Sequence, residues 1–164
     1  AAGERVADAA LAAFLHDVGL CEVPSTIRDK PAPLTADEWA ALRAHPVRGA
    51  EMVTAASATN GRVATTIRMH HERLDGSGYP SSLERADIHW EPRVVAVAEV
   101  LDALTSDRPY RPARPPFDVL QMMIDGKAGP LDESLLRQLI VALALPAPSD
   151  DLATFTPAAT SHPG

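Results

Sequence analysis

Several kinds of protein are excluded by what this chain has little of. It holds one cysteine, Cys21, in 164 residues, so an internal disulfide framework and a zinc cluster built on thiolates are both ruled out. Aromatic residues supply 4% of the chain against 46% hydrophobic residues in all. A core must therefore come from Ala, Val, Leu and Ile. Positive charge is in the minority, with 15 Lys and Arg against 22 Asp and Glu and a formal net charge of −7. No overall basic field exists to hold duplex nucleic acid without regard to sequence. An anionic substrate would need local cations, either Arg side chains or bound metal. No apolar run reaches the roughly 18 residues of a membrane helix, and no signal peptide is visible. A cytoplasmic globular domain is expected, and the length suits a single one with a real core.

What is present reads as helix, with no convincing strand pair and no internal repeat. Residues 1–15 are helical from the first residue without a Met or an entry signal, as in a fragment of something longer. Ala9 to Leu20 is apolar on nearly every side, which predicts a buried helix ending near Gly19. Pro24, Pro31 and Pro33 then enforce a non-helical connection. Thr35 and Glu38 form a capping box that opens a helix carrying Trp39 and Leu42. That helix stops or bends at His45-Pro46, and a second segment is expected from Gly49 to Ala58. Beyond the break at Asn60-Gly61, Val63, Ile67, His70 and His71 share a helical face. Asp75-Gly76-Ser77-Gly78-Tyr79-Pro80 is loop. Pro92 opens a helix over Arg93 to Leu104, and an irregular Arg- and Pro-rich stretch covers Arg108 to Pro116. Two helices remain, Phe117 to Asp125 closed by Gly126, and Glu133 to Leu145 capped by Asp132. The fold class is all-α, with a folded unit over 1–145 and a disordered tail or linker over 146–164.

Three of these helices embed ionisable residues in apolar sequence. His16-Asp17 interrupts the first, and a buried charge is costly unless it is paired or bound to metal. His70 and His71 lie on the core-facing side of theirs, where adjacent imidazoles leave ring nitrogens in need of partners. In the run from Val94 to Leu104 only Glu99 and Asp102 are polar. Their i, i+3 spacing puts both on one face, with at least one expected to be buried. Taken alone, a His-Asp pair at a helix end is usually structural. Jointly, His16, His45, His70, His71 and the carboxylates are what a shared metal centre requires, since imidazole suits iron, zinc and nickel. His89 and His162 read as ordinary surface residues.

The motifs His16-Asp17, His45-Pro46, His70-His71-Glu72 with Gly78-Tyr79-Pro80, and Asp107-Arg108-Pro109-Tyr110-Arg111 resemble the HD-GYP family of metal-dependent phosphohydrolases. The resemblance runs in order from about Leu11 to Leu143. It implies an HD-superfamily helical bundle around a buried multinuclear site, with two or three divalent transition metals, iron or manganese. It also implies hydrolysis of cyclic di-GMP to linear pGpG and, in some members, onward to GMP. By motif position His16, Asp17, His45, His70, His71 and Glu99 correspond to metal ligands, and Asp17 to the catalytic carboxylate bridging two metals. Tyr79, Arg108 and Arg111 fall where the family contacts substrate. The Gly78-Tyr79-Pro80 loop corresponds to one linked with GGDEF-type domains. Two positions depart from the pattern: Leu20 stands where the family has a lysine at the phosphate, and Glu99 where it has Asp. A further family ligand lies on a helix upstream of His16-Asp17, before the point where this sequence starts. The alternative expectation is therefore a catalytically degenerate domain that binds nucleotide or a partner protein.

Overall fold

The computed structural model describes residues 2–56, 60–107 and 111–144. Among them are eight α-helices and no strand. The helices are α1 (Ala2–Leu15), α2 (Ser25–Arg28), α3 (Ala36–Arg43), α4 (His45–Ala55), α5 (Gly61–Met69), α6 (Trp90–Thr105), α7 (Pro116–Ile124) and α8 (Glu133–Ala144), with a 3-10 turn over Val18–Glu22. An isolated bridge joins Asp75 to Glu84. The all-helical expectation holds, and no described helix is long and apolar enough to cross a membrane.

Local chemistry sets the boundaries. Thr35 and Glu38 make both hydrogen bonds of the capping box at α3. Asn60 caps α5 by accepting from the backbone N–H of Arg62 and Val63 at 3.1 and 3.2 Å. Asp132 does the same for α8, accepting from Ser134 and Leu135. These caps satisfy N–H groups that have no partner within the helix.

Three expectations need correction. The first helix ends at Leu15 rather than near Gly19, because the chain tightens there: Leu20 N–H bonds back to Asp17 O. It is also not buried all round. Only Asp8, Ala9 and Ala12 are covered, while Phe14 is 85% exposed and Val6 and Leu11 also face outward. The helix before His45-Pro46 does stop there, at Arg43, but the next one starts at His45 and not Gly49, with Pro46 in its first turn. A first-turn proline lacks only an N–H that would have been unpaired anyway. Finally, the proline-rich connection contains the four-residue α2. The expected tail over 146–164, with His162, lies outside the described residues.

Two apolar clusters organise the packing. The first joins Ala12, Ala50, Val53, Val63 and Ile67, from α1, α4 and α5. The second joins Val97, Val119, Met123 and Leu136, from α6, α7 and α8. Gly19 makes the first one close: a Cβ there would lie 2.1 Å from His45 O and 2.6 Å from Gly49 N. Its missing side chain lets the turn after His16-Asp17 rest on the start of α4, where His45 sits.

Candidate metal centre

His16 follows α1, His45 opens α4, and His70 and His71 follow α5, so ligand-type side chains converge from helix ends rather than helix middles. His70 is 0% exposed and His45 is buried. His71 is mostly covered, and the Asp17 side chain is about half exposed. Ligand atoms of Asp17, His45, His70 and His71 all lie within 4.8 Å of one another.

Each of three imidazoles is tied to the carbonyl three residues before it. Nδ1 lies 2.6 Å from Ala13 O in His16, 2.8 Å from Leu42 O in His45 and 2.6 Å from Ile67 O in His70. A carbonyl only accepts, so Nδ1 carries the hydrogen and, in the neutral ring, Nε2 is left with its lone pair. The Nε2 atoms of His45 and His70 face each other at 3.3 Å. Two lone pairs at that separation repel unless a proton or a cation lies between them. Asp17 stands beside them, Oδ1 3.2 Å from His45 Nε2 and 4.0 Å from His70 Nε2, Oδ2 3.3 Å from His16 Nε2.

The electrostatics follow from burial and from Asp17. Its hydrogen bond raises His16 to about 9. Burial pushes the Asp17 carboxyl up, but the hydrogen bonds from His16 and His45 outweigh it and hold the group far below the usual carboxylate range. Burial drives His70 down to about 4 and His71 down to about 2, which keeps both rings neutral as a metal requires.

Glu99 lies across the site on α6, Oε1 3.5 Å from His71 Nδ1. Burial raises it to about 7, and its Oε2 is buried with no hydrogen-bond partner. A cation would satisfy this oxygen. The neutral rings of His70 and His71, a firmly ionised Asp17 and the orphaned Glu99 oxygen are a donor set that fits a divalent metal, which would take the place of the proton that Asp17 holds on His16. Asp102, one turn on, is exposed, so one of the two carboxylates is covered, as its apolar setting predicted. Both line a half-open cavity of about 430 Å³ with His16, Asp17, Val95 and Ala103.

The residues expected to meet substrate fare differently. Tyr79 stacks on His71, ring centroids 4.6 Å apart and planes at 27°, and burial raises its hydroxyl pKa. Arg111 commits three of its five N–H groups to the carbonyls of Ala103, Leu104 and Pro112, at the C-terminus of α6. Arg108 lies outside the described residues. Leu20 is half-buried in the 3-10 turn and supplies no charge. His89 is exposed at the start of α6, as expected.

Glu72 is a residue whose role sequence reasoning missed. Its buried carboxylate accepts from the backbone N–H of Ser81 at 2.7 Å and Leu83 at 2.9 Å, which pins the loop carrying Tyr79. The same loop passes flush over this backbone at Gly78, where a Cβ would lie 2.3 Å from Arg73 N. A glutamate between a buried helix end and a Gly-rich loop was the available signal, since such a loop has N–H groups to satisfy.

Comparison with known proteins agrees with this geometry. Residues 2–135 match the HD domain family. A cyclic di-GMP phosphodiesterase of Pseudomonas aeruginosa is 36% identical over 85% of this chain and 34% of its own length. A 3'3'-cGAMP-specific phosphodiesterase of Vibrio cholerae is 35% identical over 82% of this chain and 29% of its own. The chain thus spans about a third of the length of these relatives. Among solved structures, an HDG"Y"P protein of Bdellovibrio bacteriovorus shares the fold, with a TM-score of 0.65 at 22% identity over 83% of this chain and 43% of that one.

Proposed function

The chain belongs to the HD domain family, in its HD-GYP form, and on that premise we propose that it is a metal-dependent phosphodiesterase acting in the cytoplasm on cyclic di-GMP, giving linear pGpG and then GMP. The facing Nε2 atoms of His45 and His70, 3.3 Å apart beside an ionised Asp17, carry this reading. His16, Asp17, His45, His70, His71 and Glu99 would hold two or three ions, iron or manganese, both at home with imidazole and carboxylate. Asp17, whose two oxygens face different histidines, would be the carboxylate shared between ions.

When bound, the metal supplies Lewis-acid charge at the phosphoryl group and lowers the pKa of water. The remaining work falls to the chain. His70 and His71 stay neutral and keep their lone pairs available. Val95, Ala98 and Ala103 make the cavity wall apolar, which strengthens charge interactions within it. Tyr79 keeps its proton and contacts the substrate from the loop that Glu72 pins. Arg108 and the uncommitted N–H groups of Arg111 meet phosphate oxygens, for which the guanidinium fork is suited. Leu20 brings no cation to the phosphate, so turnover is slower than a lysine there would allow. The Gly78-Tyr79-Pro80 loop also offers a docking edge for GGDEF-type domains.

The test is turnover of cyclic di-GMP and 3'3'-cGAMP by anaerobically purified protein loaded with Fe²⁺ or Mn²⁺, with and without chelator. Chelator-sensitive hydrolysis that prefers cyclic di-GMP is expected. Leu20→Lys should be faster, by at most the roughly 10²–10³-fold that one positioned donor contributes. Absence of hydrolysis in both proteins with metal bound would refute the reading.

A further inference from the structure

The stack that starts at His71 and Tyr79 does not end there. The Arg43 guanidinium carbon lies 5.3 Å from the Tyr79 ring centroid and 5.4 Å from that of Trp39. Histidine, tyrosine, arginine and tryptophan thus form a column from the buried cluster to the surface, where Trp39 is 47% exposed. Trp39 and Arg43 are one helical turn apart on α3, so both belong to one face. The capping box at Thr35 fixes the start of that helix.

Arg43 differs from the other cations near the site. Arg73 donates to His70 O and Glu72 O, and Arg111 donates to three carbonyls. Among the described residues Arg43 has neither an ion pair nor a hydrogen bond, only its two ring contacts. A cation held over ring faces keeps its N–H groups directed outward in the guanidinium plane. Such a fork of donors matches two adjacent acceptors. Guanine offers O6 and N7 side by side, whereas adenine pairs N7 with an N6 amino group that meets arginine donor to donor. Tyr79 is already engaged by His71 and Arg43, which leaves the Trp39 indole as the exposed surface on which a base can stack.

Resting on the cyclic dinucleotide reading above, we propose that Trp39 and Arg43 form a guanine-recognition subsite, Trp39 stacking on the base and Arg43 donating to O6 and N7. The residues act in binding and specificity, not in bond breaking.

The chain has two tryptophans, so a Trp90→Phe background leaves Trp39 as the sole indole. In that background, metal-free protein under chelator is titrated with cyclic di-GMP, GMP and AMP while indole emission is followed. GMP should quench Trp39 and bind about 10-fold tighter than AMP, in keeping with one bidentate base contact. Arg43→Gln should abolish the preference, and so should Arg43→Lys, because a point charge does not reproduce the fork. Equal affinity for GMP and AMP would show that Arg43 holds only the phosphate, and that overturns the proposal. Preference unchanged in both Arg43 variants would overturn it too. Guanine-selective quenching in a protein that turns over no cyclic dinucleotide would support this subsite while sinking the phosphodiesterase reading. Turnover without selective quenching would do the reverse.

Discussion

Around Ile67 and around Val119 the chain packs two apolar clusters, and they border on different things. The first is built from α1, α4 and α5, the helices that carry the buried His45 and Thr66 and lead into the buried His70. The second is almost wholly aliphatic, includes α8 capped by the buried Asp132, and leaves Phe117 76% exposed together with Ile124, Val141 and Leu143. Helix α6 serves both. Val95 and Glu99 face the cavity, while Val97, Val100, Leu101 and Leu104 join the second cluster. The difference shows a division of labour along one helix: one cluster positions chemistry, and the other stabilises the helix that closes the site.

The contrast should break most clearly at Asp17. Asp17→Asn is expected to weaken metal binding by more than the roughly 10–100-fold typical of residues one layer further out. The chelated variant should nonetheless melt close to the parent. Metal content by mass spectrometry and thermal melts under chelator check this. A large drop in melting temperature would show the cluster to be structural.

A matched pair of truncations sharpens the comparison. Ile67→Ala and Met123→Ala each empty a fully packed position and should each cost about 2–5 kcal/mol in urea unfolding. Only the first should also lose metal, because a cavity at Ile67 loosens the packing of α1, α4 and α5, at whose ends His16, His45 and His70 stand. Equal metal loss in both would erase the distinction between the clusters.

The smallest effect is expected in acid. Glu91, which ties α6 to Arg5 of α1, is held below its ordinary 4.5 by the Arg5 hydrogen bond and charge. Burial pushes Asp132, beside the second, up from 3.8, but bonds from Leu135, Arg93 and Ser134 bring it lower still. Both carboxylates have depressed folded-state pKa values. Their stabilisation is therefore present above those ordinary values and is lost as pH falls through the folded ones. Thermal melts of chelated protein under progressively acidic conditions should show a declining limb below about pH 4.5. Glu91→Gln and Asp132→Asn should each flatten part of it. A limb unchanged in both variants would mean that other groups control acid unfolding.

Much of this was legible in the chain itself. Periodicity and caps located the helices, and Thr35, Asn60 and Asp132 cap or break where their side-chain chemistry says they should. The ionisable residues within apolar sequence did converge: Asp17, His45, His70 and His71 meet within ligand reach. What local pattern could not give was contact between distant segments. The apolar stretch around Phe14 looked buried, yet only packing partners decide which side is covered, and few covered it. Gly19 read as a helix end, but its role is the contact with His45 some 26 residues later. In the sequence Glu72 reads only as part of a motif and Arg43 not at all, because their partners lie across loops and helices.

The carbonyl tethers of His16, His45 and His70 have a consequence for how this centre tolerates change. The atoms that orient the imidazoles belong to Ala13, Leu42 and Ile67, but they are main-chain oxygens. No side-chain replacement at those three positions deletes the acceptor. Where the supporting layer of a metal site is a carboxylate side chain, it is open to loss by point mutation. Here part of that layer is written into the backbone, three residues before each ring, so it travels with the local segment and survives wherever the segment keeps its turn. Drift at the surrounding side chains can then retune charge, access and specificity while the aim of the three rings is inherited unchanged.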